Sequence, residues 1–227
     1  MSQAEYLDLY AGGPGLQALL GRAVSLDASA LARLQQLDGD AVDVFVTTPF
    51  SVVAARRVNG VPSRDRAVVS AQTMLAAVSE FNSARPSSQR LDLGTPRDPF
   101  WPGALPPAAG FREVDRVPVG VARRLADKGQ ALARQFSGPL GPPRSLLDQT
   151  VVTVTGPAGE DAQEGGAEVT VEVPMRVIFT CTSLGLIPGF NAGMDVPRYL
   201  RVSHRGRWLR VDCPFGAVYY SRTIGLV

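Results

Sequence analysis

Lysine is nearly missing from this chain. Its 227 residues hold one Lys, Lys128, against 22 Arg. Combined with heavy use of Ala, Gly, Val and Pro, that skew is the mark of a GC-rich genome, not of a polyanion partner. Histidine is as scarce, with His204 alone. One imidazole cannot build a histidine-rich metal centre, and any histidine-based triad or dyad would have to use that residue. There are two cysteines, Cys181 and Cys213. That is too few for a disulfide framework or for a zinc site by themselves. No apolar run reaches the ~18 residues that a spanning helix needs. No basic segment followed by an apolar one opens the chain, so no secretory leader is visible. These absences predict a soluble, cytoplasmic protein with reduced thiols, without metal or cofactor, and a binding protein rather than an enzyme.

What is present is globular. A hydrophobic content of 45% and a charged content of 19% fit a chain with a real core, as one large domain or two small ones. The net charge of +2 implies no partner, so electrostatic argument has to be local.

The clearest local pattern lies at the C-terminal end, where residues 198–222 read RYLRVSHRGRWLRVDCPFGAVYYSR. Leu200, Val202, Leu209, Val211 and Val218 alternate with polar or aromatic residues, the period of half-buried strands. Arg205-Gly206 and Cys213-Pro214-Phe215-Gly216 supply turns. The reading is an antiparallel three-strand meander. Val202 faces Leu209, Leu200 faces Val211, and Val211 faces Val218. The opposite face carries Tyr199, Arg201, Trp208, Arg210 and Tyr219, with Arg201 across from Arg210. Six Arg and one acid, Asp212, fall in this stretch. Arg interleaved with aromatics is the composition of single-stranded nucleic-acid platforms. It is equally that of a solvated face whose Arg stems cover rings, or of a contact with a protein partner or a second copy.

An echo sits in the first half. Residues 46–57, VTTPFSVVAARR, and 211–222, VDCPFGAVYYSR, share P-F-x-x-V-x-x-x-R: Pro49, Phe50, Val53 and Arg57 against Pro214, Phe215, Val218 and Arg222. Turn chemistry alone puts Pro in both places, so chance and duplication both stand. Duplication predicts two related halves about a pseudo-twofold axis, with Phe50 and Phe215 as core staples at equivalent corners. Arg56, Arg57 and Arg222 would then be candidates for an anion site between the halves.

In chain order, residues 3–10 read as a short helix, ended at Gly12-Gly13-Pro14. Leu16, Leu19, Leu20 and Val24 mark an amphipathic helix, and Leu31, Leu34 and Leu37 another. A hairpin runs from Ala41 to Val58, closed by Asn59-Gly60, and Arg66 to Phe81 reads as helix. The Pro-rich stretch 83–110 separates an N-terminal half, 1–82, from a C-terminal half, 111–227. Its Phe100-Trp101 is expected to dock on the fold. Pro118 starts a helix to Phe136 with Val121, Leu125, Leu132 and Phe136 inward. Strands follow at Thr150–Thr155 and Ala167–Val173. The acidic tip between them, with Glu160, Asp161 and Glu164, lacks the spacing of a calcium loop and reads as a solvated tip. Pro174 opens a very apolar core helix containing Cys181. The fold class is α+β: two sheet-plus-helix halves with the antiparallel meander at the end.

No catalytic constellation emerges. His204 and Cys213 fall roughly 20 Å apart on the meander register, out of reach as a dyad. Asp43, Asp195 and Asp212 belong to no acidic pair at motif spacing. The runs DVFVTTPF, LLDQTVVTVTG and RWLRVDCPFGAV together resemble uncharacterised proteins of high-GC Gram-positive bacteria. The resemblance implies no activity and no functional residue. The expected function is therefore a non-catalytic binding or assembly protein using the Arg/aromatic face. The alternatives are nucleic-acid binding through that face, and a small-ligand cleft or enzyme site lined by Asp43, Arg57 or Arg222.

Overall fold

The computed structural model describes residues 4–84, 90–136, 142–157, 168–189, 193 and 195–221. The chain divides into two compact units. One is Met1–Pro49 with Val53–Leu105, and the other is Phe50–Val52 with Pro106–Val227.

In the first unit β1 (Glu5–Ala11) is followed by α1 (Gly13–Leu26), β2 (Leu31–Gln36), β3 (Ala41–Thr47), β4 (Val53–Pro62), β5 (Val68–Ser70), α2 (Ala71–Ala84) and β6 (Arg90–Gly94). All pairings are antiparallel, in the order β5-β2-β3-β4-β1-β6. Two expected helices are strands. Residues 5–9 bury Glu5, Leu7 and Leu9 in alternation, the period of a strand. β2 buries Ala32 and Leu34, and Ala30 just ahead of the strand is buried with them. Leu31, Leu34 and Leu37 imitated a helical stripe, while small alanines carried the real two-residue period. Asn59-Gly60 closes no hairpin. β4 runs through to Pro62, and a Cβ on Gly60 would strike the Asp8 carbonyl of β1, so this glycine serves close strand approach. Gly12 takes φ +94° ahead of α1, a backbone that glycine tolerates and most residues do not.

The second unit runs β7 (Arg112–Pro118), α3 (Val119–Phe136), the short α4 (Arg144–Asp148), β8 (Thr150–Pro157), β9 (Glu168–Pro174), α5 (Met175–Ser183), β10 (Tyr199–Arg205), β11 (Trp208–Cys213) and β12 (Gly216–Ser221). Its antiparallel sheet has the order β12-β11-β10-β7, and β8 pairs with β9 in a separate two-stranded sheet. Every residue of α5 from Met175 to Cys181 is buried, as its apolar run predicts. The helix α3 differs from expectation. It buries Ala122, Ala126, Gly129 and Ala133, and a Cβ on Gly129 would meet Met175 and Phe179 at 2.8 Å. Small residues bring α3 down onto α5, and the larger Leu132 is left 43% exposed. The Phe136 side chain lies outside the described residues.

The chain is thus α+β in two sheet-plus-helix halves with a C-terminal antiparallel meander. Each unit contains a helix followed by three antiparallel strands, α1-β2-β3-β4 and α5-β10-β11-β12, with a Pro-Phe turn between the last two. The echo is equivalent only as far as that turn. Val46 pairs with Ala54, whereas Val211 pairs with Val218. The longer first loop slips the register by one residue, so Val53 faces away from the helices while Val218 faces α5.

Candidate functional site

The meander register is shifted by two residues from expectation at its first turn. Val202 pairs with Val211, His204 with Leu209 and Arg205 with Trp208, so the turn is Gly206-Arg207, with Gly206 at φ +54°. A two-residue shift preserves faces. Leu200, Val202, Leu209, Val211 and Val218 are buried together, and Val211 does oppose Val218. Across the sheet Arg201 is opposite Asp212 and Arg116, and Arg210 is opposite Ser203 and Tyr219. The juxtaposed guanidinium pair is therefore Arg201–Arg116, not Arg201–Arg210.

This outer face is partly covered. Tyr219 is 5% exposed. Its ring meets Phe111 edge-on, with centroids 5.9 Å apart. Arg210 lies 5.6 Å from both rings and donates to Asp212 Oδ1 through Nε at 2.8 Å and through its terminal nitrogen at 2.6 Å. Arg205 reaches back to the Ala109 carbonyl. Trp208 is half-buried beneath Arg207. Tyr199 and Arg201 are the exposed members, with Arg116 over the Tyr199 ring at 4.8 Å. Phe111 lay outside the sequence pattern because it precedes a strand that carries no clear alternation.

Arg56 and Arg57 do not converge. As neighbours on a strand they point to opposite faces. Arg56 runs over α1, where a Cβ on Gly15 would meet its guanidinium, and burial lowers its pKa. Arg57 grips Asp43 with two 2.8 Å hydrogen bonds on the other face. Arg222 lies outside the described residues. The acids Glu160, Asp161 and Glu164 lie outside them too.

Beyond the docked Trp101, two clusters were not legible beforehand. In the first unit Trp101 docks as expected, 8% exposed, with Arg33 5.6 Å from its ring, while Phe100 is 66% exposed. Glu5 is buried, accepts from Ser63 and binds Arg64 at 2.7 Å; Arg64 also binds Asp98 at 2.5 Å. These residues line a cavity of about 700 Å³ with Tyr6 and Pro99. In the second unit the buried Arg176 donates to the Phe50 carbonyl at 2.7 Å and to Asp148. Phe50 packs on Phe179 at 6.1 Å, at the edge of a cavity of about 240 Å³ also lined by Ala133 and Pro142.

Cys213 pairs across the turn with Gly216, and its thiol meets Cys181, not His204. Among the described residues no group of three or more His, Cys, Asp or Glu is placed to hold a metal ion. No described helix is long and apolar enough to cross a membrane.

Residues 106–225, more than half of the chain, match the model described as Domain of unknown function (DUF8185). The chain belongs to the DUF8185 family. Residues 11–103 match a second model, Domain of unknown function (DUF8010). No curated protein matches the chain. Solved structures do. The DNA polymerase sliding clamp of Bacillus subtilis aligns over 100% of this chain and 66% of its own, at 9% identity and TM-score 0.55. The sliding clamp of Pseudomonas aeruginosa aligns over 99% and 66%, at 14% identity and TM-score 0.53. The pol III beta of Caulobacter crescentus aligns over 97% and 65%, at 16% identity and TM-score 0.52. This DUF8185 chain therefore has the sliding-clamp fold and spans about two thirds of the length of those clamps.

Proposed function

We propose that this chain is a non-catalytic, cytoplasmic assembly protein that associates with copies of itself and with DNA. The observation that carries the reading is the alignment of essentially the whole chain, 97–100% of it, with sliding clamps whose names place them with DNA polymerase. Charge supports it. The helices of the first unit are poor in bases, whereas α3 exposes Arg124, Lys128 and Arg134 against Asp127. Tyr199 and Arg201 of the meander, with Arg116 of the neighbouring β7, form the accessible remnant of the Arg/aromatic face.

Two double variants separate these surfaces. Duplex DNA is titrated at low and moderate salt. Binding should fall steeply with salt, since it releases counterions. Arg124→Glu with Lys128→Glu should abolish it, and Arg116→Ala with Arg201→Ala should reduce it about tenfold or less. No binding by the unaltered protein at low salt defeats the DNA half of the proposal. Loss only in the meander variant moves the contact to the sheet face.

A further inference from the structure

The chain's two cysteines are 32 positions apart and have no partner motif, yet their Sγ atoms lie 3.5 Å apart. Cys181 comes from the last turns of α5 and is fully buried; Cys213 ends β11 and is half-buried. The backbone around them is already tied. The Leu186 N–H donates to the Cys181 carbonyl at 2.9 Å, and the Phe215 N–H to the Leu186 carbonyl at 3.0 Å. The two sulfurs are thus in contact across elements that the surrounding hydrogen bonds hold in place. We propose that Cys181 and Cys213 are a reversible dithiol–disulfide pair that closes when the protein meets a hydroperoxide. This does not depend on the role proposed above.

The chemistry balances with the peroxide as oxidant. The Cys213 thiolate, on the more accessible side, attacks a peroxide oxygen. The O–O bond breaks, Cys213 becomes a sulfenic acid, and the alkoxide or hydroxide leaves with a proton. Cys181 Sγ then attacks the sulfenic sulfur. The S–O bond breaks, and hydroxide departs as water with the Cys181 proton. Two thiols lose two electrons and two protons, and the peroxide is reduced to water and its alcohol. Excess small thiol reverses the bond by exchange. The hydrogen bond to Cys181, then burial, hold the Cys213 thiol well above its usual pKa. Reaction should therefore be slow at neutral pH and speed up about tenfold per pH unit below that pKa, because the thiolate is the nucleophile.

The test treats the full chain with hydrogen peroxide, alkylates it under denaturing conditions and maps tryptic peptides. The expected product is a monomer in which both thiols resist alkylation. Peptides 177–198 and 211–222 should be joined, and dithiothreitol should release them. The cross-linked form should melt higher, by up to about 10 °C for a loop of this length. Cys213→Ser should leave Cys181 alkylatable after the same treatment; this half-buried site tolerates the change more readily than Cys181. The proposal is overturned if both thiols of the unaltered protein still alkylate at a peroxide dose that oxidises free glutathione. It is overturned equally if the cross-link forms between chains, or if only sulfinic or sulfonic products appear.

Discussion

Arg33 in the first unit and Arg210 in the second both lie on the sheet face away from the helices, each beside an aromatic ring from the stretch 95–111. Trp101 covers Arg33 and Phe111 covers Arg210. They differ in their electrostatic company. Arg210 is clasped by Asp212. Arg33 has a buried Nε without a partner, the buried indole N–H of Trp101 has none either, and burial lowers the pKa of Arg33. Composition is therefore a poor guide to function here. The same Arg-plus-aromatic pairing is, in both units, a seal in which a connecting segment is laid on a sheet. Where the seal ends, Arg116, Tyr199 and Arg201 are exposed.

The largest effect should come from removing a ring. Trp101→Ala empties a buried site and should cost about 3 kcal/mol. The half-buried Phe111→Ala should cost about 1–2 kcal/mol. Both are read by urea denaturation, and equal costs would erase the contrast between the two seals. Next come the carboxylates. Asp212→Asn strips Arg210 of its ion pair and should cost about 1 kcal/mol, since both groups are largely shielded. Asp43→Asn should cost no more, because its partner Arg57 is half-exposed and solvent screens the pair. A sharper probe replaces each guanidinium with an apolar chain. Arg33→Met should be within about 0.5 kcal/mol of neutral, because it removes a charge whose Nε is unsatisfied. Arg210→Met should cost about 1 kcal/mol by orphaning Asp212. If Arg33→Met proves the costlier, Arg33 has a role that these contacts do not explain.

The smallest effect concerns pH. The hydrogen bond from Arg90 holds the Asp8 carboxyl below its ordinary range. A depressed folded pKa adds stability above the unfolded value, about pH 4, and that stability is lost as pH falls through the folded one. Asp8→Asn should remove this small acid-side slope, which a melting series from pH 5 to 2.5 would show.

The sequence made the fold class and most of the second unit legible, because α5, β9 and the meander bury large β-branched or aliphatic residues on plain periods. The first unit was harder for a physical reason. β2 buries alanines, whose weak apolar signal lost to an accidental i, i+3 leucine spacing. Gly60 read as a turn residue, yet it marks a close strand approach that only three dimensions reveal. The face of the candidate site was readable from alternation, but its pairing was not, because one turn can close at Arg205-Gly206 or at Gly206-Arg207. Nothing along the chain could announce that Cys181 and Cys213 meet, since the contact depends on where α5 packs.

The most direct test of the assembly claim is the mass of the protein in solution. Sedimentation equilibrium over a hundredfold range of concentration should yield a single multiple of the 24.1 kDa chain at the upper end, dissociating on dilution if at all. A mass of 24.1 kDa throughout, under the salt conditions used for DNA titration, would contradict the account.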